Sequence, residues 1–359
     1  MKAGFFSRTI IFCVLFFSFA GLEARYLTNS APLVLPKYKL INLGSTVHDK
    51  RVLNAHCWPL SLGPKINNSG QVIGNRGCSS FLWKKCSGFF DIDNPGCITS
   101  LVSINNNSAI IGRHMGCDGV AKWFSWNLSS CGKEPAPAYF DFGCIQGEEI
   151  FLRQINDNGY LIGAQRLKGN SYRSVYFDRK KNMKALSSGV LLGINNYNTM
   201  MGSESCGKTT GPFLSNFNGS ISIIGDDCTV SKPSGIYKFG YPILTQDNAV
   251  YGTFRGKKEG KPYLFAYLWN DEDQIFRTLD LKEMQISSLN RSHILVGSQS
   301  GEAVVCVNHG KPEKLPDMIV NSTRGWKFLE ATDINDTGQI VGYGMYKGNM
   351  TLFMLDPVD

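Results

Sequence analysis

Ile334-Asn335-Asp336-Thr337-Gly338-Gln339-Ile340-Val341-Gly342 is one of seven versions of the same nine residues in this chain. Clear copies read INNSGQVIG (Ile66–Gly74), INNNSAIIG (Ile104–Gly112), INDNGYLIG (Ile155–Gly163) and INNYNTMMG (Ile194–Gly202). Two worn copies, LTQDNAVYG (Leu244–Gly252) and LNRSHILVG (Leu289–Gly297), precede the last. Successive copies start 38, 51, 39, 50, 45 and 45 residues apart. Self-similarity at this period is the mark of a repeat architecture.

Each copy reads apolar, polar turn, apolar. Asn-Asp or Asn-Asn followed by Gly, Ser or Asn is turn chemistry, because Asx side chains bond their own backbone and Gly or Asn tolerates positive φ. The flanking runs are short and rich in β-branched residues, so they read as hairpin strands. A second apolar-aromatic run follows each closing glycine: Ser80–Trp83, Trp123–Trp126, Val175–Phe177, Pro212–Leu214, Phe265–Trp269, Ala303–Val305 and Leu352–Leu355. Most repeats add a fourth run, such as Phe89–Ile92 or Ser220–Ile224. Four short strands in about 45 residues make the blade of a β-propeller. A helical solenoid would need ten-residue stretches at 3.6 spacing, and none occurs. The seventh repeat stops after its third strand, whereas Tyr38–Leu43 is a strand with no blade of its own. The expectation is an all-β, seven-bladed propeller of four-stranded antiparallel blades. Its last blade is closed by about Tyr38–Leu43 laid against Leu352–Leu355, with Leu40 beside Phe353, so no edge stays open.

The pattern I-N-x-x-G-x-I-V-G followed by an aromatic strand resembles the HAF-repeat family of secreted proteins, named for His-Ala-Phe at the third strand. The likeness spans roughly residues 38–359. It departs at that tripeptide: the best local match is Phe265-Ala266-Tyr267-Leu268-Trp269, and no copy carries the histidine. The family has no common activity, so the resemblance implies architecture and export and transfers no catalytic residue.

Met1–Ala24 carries Lys2 and Arg8, then the apolar run Thr9–Phe17, then small residues near Ala20 and Ala24. That is the layout of a secretory signal peptide cleaved after Ala20 or Ala24. The expected domains are therefore residues 1–24 as signal and 25–359 as one propeller, secreted or periplasmic, with no transmembrane segment after cleavage. Of the 37 basic residues Lys2 and Arg8 leave with the signal, and of the 29 acidic residues Glu23 leaves, giving 35 against 28 and a net charge of +7. This balance is too mild for a nucleic-acid binder.

Ten cysteines follow Cys13, an even number that fits a disulfide framework in an exported chain. In a four-stranded blade the second-to-third turn and the fourth-to-first connection share one face. Cys78, Cys117 and Cys206 fall in the former, and Cys97, Cys144 and Cys228 in the latter. The pairing read from this is Cys78–Cys97, Cys117–Cys144 and Cys206–Cys228, with Cys86–Cys131 on the opposite face. Cys57 and Cys306 remain, the latter buried in its strand. No C-x-x-C occurs and no His stands at ligand spacing from a cysteine pair, so neither metal nor other cofactor is expected.

Gly202-Ser203-Glu204-Ser205-Cys206-Gly207-Lys208-Thr209 matches the phosphate-loop pattern letter for letter. Phosphate binding there needs a following helix, and Gly211-Pro212 before an apolar run makes a strand instead, so the match reads as coincidence. His48, His56, His114, His293 and His309 stand in no nucleophile motif. The pairs Glu148-Glu149 and Asp226-Asp227 read as solvated loop acids. Asp157 and Asp336 are too few among seven copies for a repeated calcium site and read as turn residues. Eight N-x-[ST] sequons occur, and Asn67, Asn106, Asn290 and Asn335 among them lie inside the motif hairpin, where a glycan is hard to place. Trp83, Trp126 and Trp269 recur in third strands as blade packing.

The second-to-third turns are biased towards basic residues. Arg113, Arg166, Lys168, Lys208, Arg255 and Lys257 are the candidate ligand-binding set, a positive rim for an anionic partner. The functional expectation is an exported, non-enzymatic propeller that engages a partner protein or carbohydrate on the face expected to bear the disulfides. The alternative is a hydrolase or lyase acting on glycans, which requires carboxylates or a Tyr or His converging on the central channel.

Overall fold

The computed structural model describes residues 36–45, 63–76, 79–92, 98–115, 121–128, 138–140, 149–168, 171–206, 209–217, 221–223, 242–270 and 275–358. The signal-peptide reading falls outside them, as do Lys208 and all the paired cysteines except Cys86 and Cys206. The described strands form seven separate four-stranded antiparallel sheets. Blade one holds Lys65–Ile66, Val72–Arg76, Ser79–Lys84 and Gly88–Ile92. Blade two holds Ile98–Ile104, Ala109–Met115, Ala121–Asn127 and Ala138–Phe140. Blade three is Glu149–Ile155, Leu161–Arg166, Tyr172–Phe177 and Met183–Ser188; blade four is Val190–Ile194, Met200–Cys206, Thr209–Ser215 and Ile221–Ile223. Blade five is Ile243–Leu244, Ala249–Lys258, Lys261–Asn270 and Ile275–Leu279; blade six is Gln285–Leu289, Ile294–Gln299, Glu302–Val307 and Glu313–Lys314. Blade seven takes Trp326–Ile334, Ile340–Tyr346 and Asn349–Val358 from the end of the chain and Lys37–Ser45 from its beginning.

The closing strand pairs where expected but in a different register. Leu40 lies opposite Leu355, and Phe353 faces Asn42, two residues further along. Its outer edge is covered as well: Asn321 accepts from the Leu40 amide at 2.7 Å and donates to the Leu40 carbonyl at 3.1 Å. A carboxamide thus does for this edge what another strand would do.

The motif fixes how each blade packs. Its closing glycine stands directly across from a third-strand residue, as Gly112 from Phe124 and Gly342 from Phe353. A Cβ on Gly112 would come within 2.4 Å of the Phe124 ring, and one on Gly342 within 2.1 Å of the Glu330 carbonyl. In five blades a ring lies over the glycine, while blades three and six put Val175 and Val304 across from it, which is why most repeats pair glycine with an aromatic residue. Apolar faces of successive blades meet in shared cores. Ile73 and Leu82 of blade one meet Ile110 and Phe124 of blade two, while Val341 and Met354 of blade seven meet Val72 and Phe81 of blade one. Trp83, Trp126 and Trp269 are buried, in keeping with a packing role. Each such side chain contributes about 2–3 kcal/mol of burial.

The inner strands carry one further regularity. In blades two, three, four, six and seven the register slips by one residue opposite the closing glycine, leaving Val102, Arg153, Leu192, Ser287 and Thr332 as the bulged residues. A bulge re-aims a side chain. All five line the cavity on the propeller axis.

Candidate functional site

Two cavities lie along the axis. One, of about 440 Å³, is walled by the motif turns, where the inner strands end. The other, of about 600 Å³, is walled by the inner strands themselves and reaches Gly63 and Pro242, where those strands begin. Ile104, Gln154, Leu244, Ser288 and Asp333 border both, so the two form one axial channel.

The motif-side mouth is built from two rings of hydrogen bonds. In the first, the second residue of each motif uses both ends of its carboxamide. The oxygen of Asn105 accepts from the amide of Ala109 at 2.8 Å and closes its own turn, and its nitrogen donates to the carbonyl of Asn156 in the next blade at 2.8 Å. The same link to the next blade runs from Asn67 to Asn105, Asn156 to Asn195, Asn195 to Thr245, Asn290 to Asn335 and Asn335 to Asn67, at 2.9–3.1 Å. In the second ring, the amide of each third residue donates to the side chain of its counterpart in the next blade. These links are Asn68 to Asn106, Asn106 to Asp157, Asp157 to Asn196, Asn196 to Gln246, Arg291 to Asp336 and Asp336 to Asn68, at 2.7–3.0 Å. Asp157 and Asp336 are therefore acceptors within the ring. Each ring has six of its seven possible links, and both lack the one between blades five and six. Thr245 closes its own turn, with its hydroxyl oxygen 2.8 Å from the Ala249 amide, but has no carboxamide to extend. Arg291 offers Gln246 no acceptor. From the sequence these asparagines read as local turn formers, yet six of seven copies carry Asn at the second place and none carries Asp, although a local turn alone would accept either.

Deeper in, the channel presents Lys65, Arg153, Gln154, Gln285, Ser287, Ser288, Glu330, Asp333 and Tyr343 beside apolar walls such as Leu192, Ile243 and Ile286. Glu330 accepts from Ser287 of blade six at 2.8 Å and from the Tyr343 hydroxyl. Burial, and then the adjoining Glu330 carboxylate, raise the pKa of Tyr343, so the phenol keeps its proton and remains a donor. Asp333 accepts from Ser288 at 2.6 Å and from the Ile66 amide of blade one at 3.1 Å, linking its blade to both neighbours. The Lys65 ammonium lies 3.4 Å from the Thr332 carbonyl.

The basic residues expected in second-to-third turns are differently placed. Arg113, Arg166, Arg255 and Lys257 belong to second strands, which run longer than the sequence suggested, and Lys168 sits in a turn and is exposed. Arg113 is half-buried, with Nη2 2.7 Å from Glu149 of blade three. Glu149 opens an inner strand and also faces Arg166 in register. The rim at blades two and three is thus partly neutralised by an acid read from sequence as a loop residue. Cys86 sits in the turn between the third and fourth strands of blade one, and the partner expected for it, Cys131, lies outside the described residues. Cys306 is buried with a free thiol, its Sγ 3.2 Å from the Gly310 carbonyl. The phosphate-loop look-alike occupies Met200–Cys206 and Thr209–Ser215, two strands with no helix after them.

No protein-family model matches the chain, and no curated protein does. Solved structures match in shape. A prolyl endopeptidase aligns with a TM-score of 0.53 at 10% identity over 83% of this chain and 50% of that one. An extracellular domain assigned to a hybrid two component system of B. thetaiotaomicron aligns at 0.51 and 10% identity over 89% and 40%. TolB from Acinetobacter baumannii aligns at 0.42 and 8% identity over 78% and 60%. The chain thus spans between 40% and 60% of the length of these proteins. At such identity the likeness speaks to fold alone: the molecule is a seven-bladed β-propeller. Among the described residues no helix is long and apolar enough to cross a membrane.

Proposed function

We propose that the protein is an exported binding propeller whose partner, a glycan or a polar segment of another protein, enters the axial channel at the end where the inner strands begin. The observation that carries this is the cavity of about 600 Å³ in which five inner-strand bulges and their neighbours converge donors, acceptors and apolar walls. A polyhydroxylated ligand needs that mixture, with polar groups to orient it and apolar surface to shed water. The face around this mouth is the one expected to carry Cys78–Cys97, Cys117–Cys144 and Cys206–Cys228, with Cys86–Cys131 opposite, and the even number of cysteines after Cys13 fits such an oxidised framework. Export and membership of the HAF-repeat family rest on the amino-terminal segment and the motif.

The glycan-hydrolase or lyase reading has its required groups here, since Glu330, Asp333 and Tyr343 line the channel. Binding is preferred because both carboxylates already take two hydrogen bonds each from the protein. A general acid or nucleophile must instead face its substrate.

The test is a glycan array probed with wild-type protein and with Leu192→Trp, which plugs the channel. The expected result is glycan capture by the wild type and its loss in the plugged variant. Capture that persists in Leu192→Trp moves the seat to the outer loops, and turnover of a captured glycan that Glu330→Gln abolishes replaces binding with catalysis.

A further inference from the structure

The joint between blades five and six, where both rings lack a link, is crossed by a different set of groups. Tyr251 of blade five directs its hydroxyl at two imidazoles of blade six, with His309 Nε2 at 2.9 Å and His293 Nδ1 at 3.3 Å. Both histidines stand in the left-handed region, His293 at φ 54° and His309 at φ 59°. Few side chains adopt that conformation readily. His293 occupies the place in the motif turn where other copies have Gly70, Gly159, Gly338, Ser108, Asn198 or Asn248, all of positive φ. Asp247 of the preceding turn borders the same mouth cavity as His293, and its charge acts on Tyr251.

We infer that His293 Nδ1, His309 Nε2 and Tyr251 Oη form a site for a divalent transition metal, zinc being the best match, that fastens blade five to blade six. Two imidazole nitrogens and an oxygen suit zinc, copper or nickel, and a water completes a four-coordinate shell. No group of three or more His, Cys, Asp or Glu side chains converges among the described residues; here the third donor is a phenol. The imidazole centroids lie 6.4 Å apart. To share an ion at the roughly 2 Å bond that imidazole nitrogen makes, they must approach by on the order of 1 Å. Both are exposed turn residues, so this movement disturbs no core. The binding step exchanges the phenol proton, released to solvent, for the metal. No redox change is involved.

The experiment uses chelator-stripped, untagged protein titrated with zinc chloride by calorimetry, with a parallel melt. Wild type should take up one zinc saturably, and its Tm should rise by several degrees, as binding to the folded state alone requires. His293→Asn and His309→Asn should each abolish uptake and the Tm rise. Asn is already present at the first of these places in copies four and five, so metal-free His293→Asn keeps its turn, and each metal-free variant should melt below wild type only by the small margin of one lost Tyr251 contact. Magnesium chloride should do nothing. Absence of saturable zinc uptake overturns the inference, as does uptake unchanged in the His293→Asn/His309→Asn double variant, which would put the ion elsewhere on the chain.

Discussion

Six joints of this propeller are fastened by the motif, and the joint between blades five and six is not. At the joint between blades two and three, the Asn105 carboxamide reaches Asn156 and the Asn106 amide reaches Asp157. At the joint between blades five and six the corresponding residues are Thr245 and Arg291, and neither link forms. That joint rests on an apolar core of Tyr251, Leu281, Met284, Ile286 and Leu295 and on the Tyr251–histidine contacts. The contrast separates two duties of the repeated asparagine. Thr245 retains the turn-closing duty because a hydroxyl can accept the Ala249 amide, yet it lacks the length and the second polar atom to reach the next blade. A turn survives the exchange, and a joint does not.

This contrast can be broken at an intact joint. Asn105→Ala should lower stability to urea by about 2–3 kcal/mol, because it strands the buried Ala109 amide and removes the tie to Asn156. A loss of a few tenths would mean the rings are incidental to stability. It can also be erased at the odd joint. Thr245→Asn with Arg291→Asn restores a donor towards Asn290 and an acceptor for Gln246, and should add about 1–2 kcal/mol in the same titration. The exposed Arg291–Asp336 ion pair lost in the process counts for little. The smallest effect tests what the odd joint uses instead: metal-free Tyr251→Phe should lose about 0.5–1 kcal/mol, since two partners on exposed turns lose one hydroxyl. An effect larger than that of Asn105→Ala would reverse the order of the two joints.

Much of the fold could be read from the residues, because its cause is local and repeated. Glycine followed at the third strand by an aromatic, and a strand at Tyr38–Leu43 without a blade, were enough for blade number and ring closure. The register of closure was not legible, because Leu40 opposite Leu355 and Leu40 opposite Phe353 differ by two residues and put the same side chains on the same faces. The site was less legible. Arg113 reads as an exposed turn charge until Glu149, 36 residues away, is brought to 2.7 Å. Ser287, Glu330 and Tyr343 belong to no motif and meet only because a bulge and two blades converge on the axis. His293 and His309 read as ordinary loop residues for the same reason.

By itself the sequence determined the repeating unit and the turn inside it, since these follow from side-chain size and backbone preference within some ten residues, and the pairing of the two chain ends, since one blade lacks a strand and one strand lacks a blade. Only the tertiary structure decided that an asparagine in one turn fastens the next blade, that one joint goes without, and which polar groups share the channel. Those outcomes depend on atoms brought from 38 to 268 residues apart to within a hydrogen bond of each other, a distance over which no local preference acts.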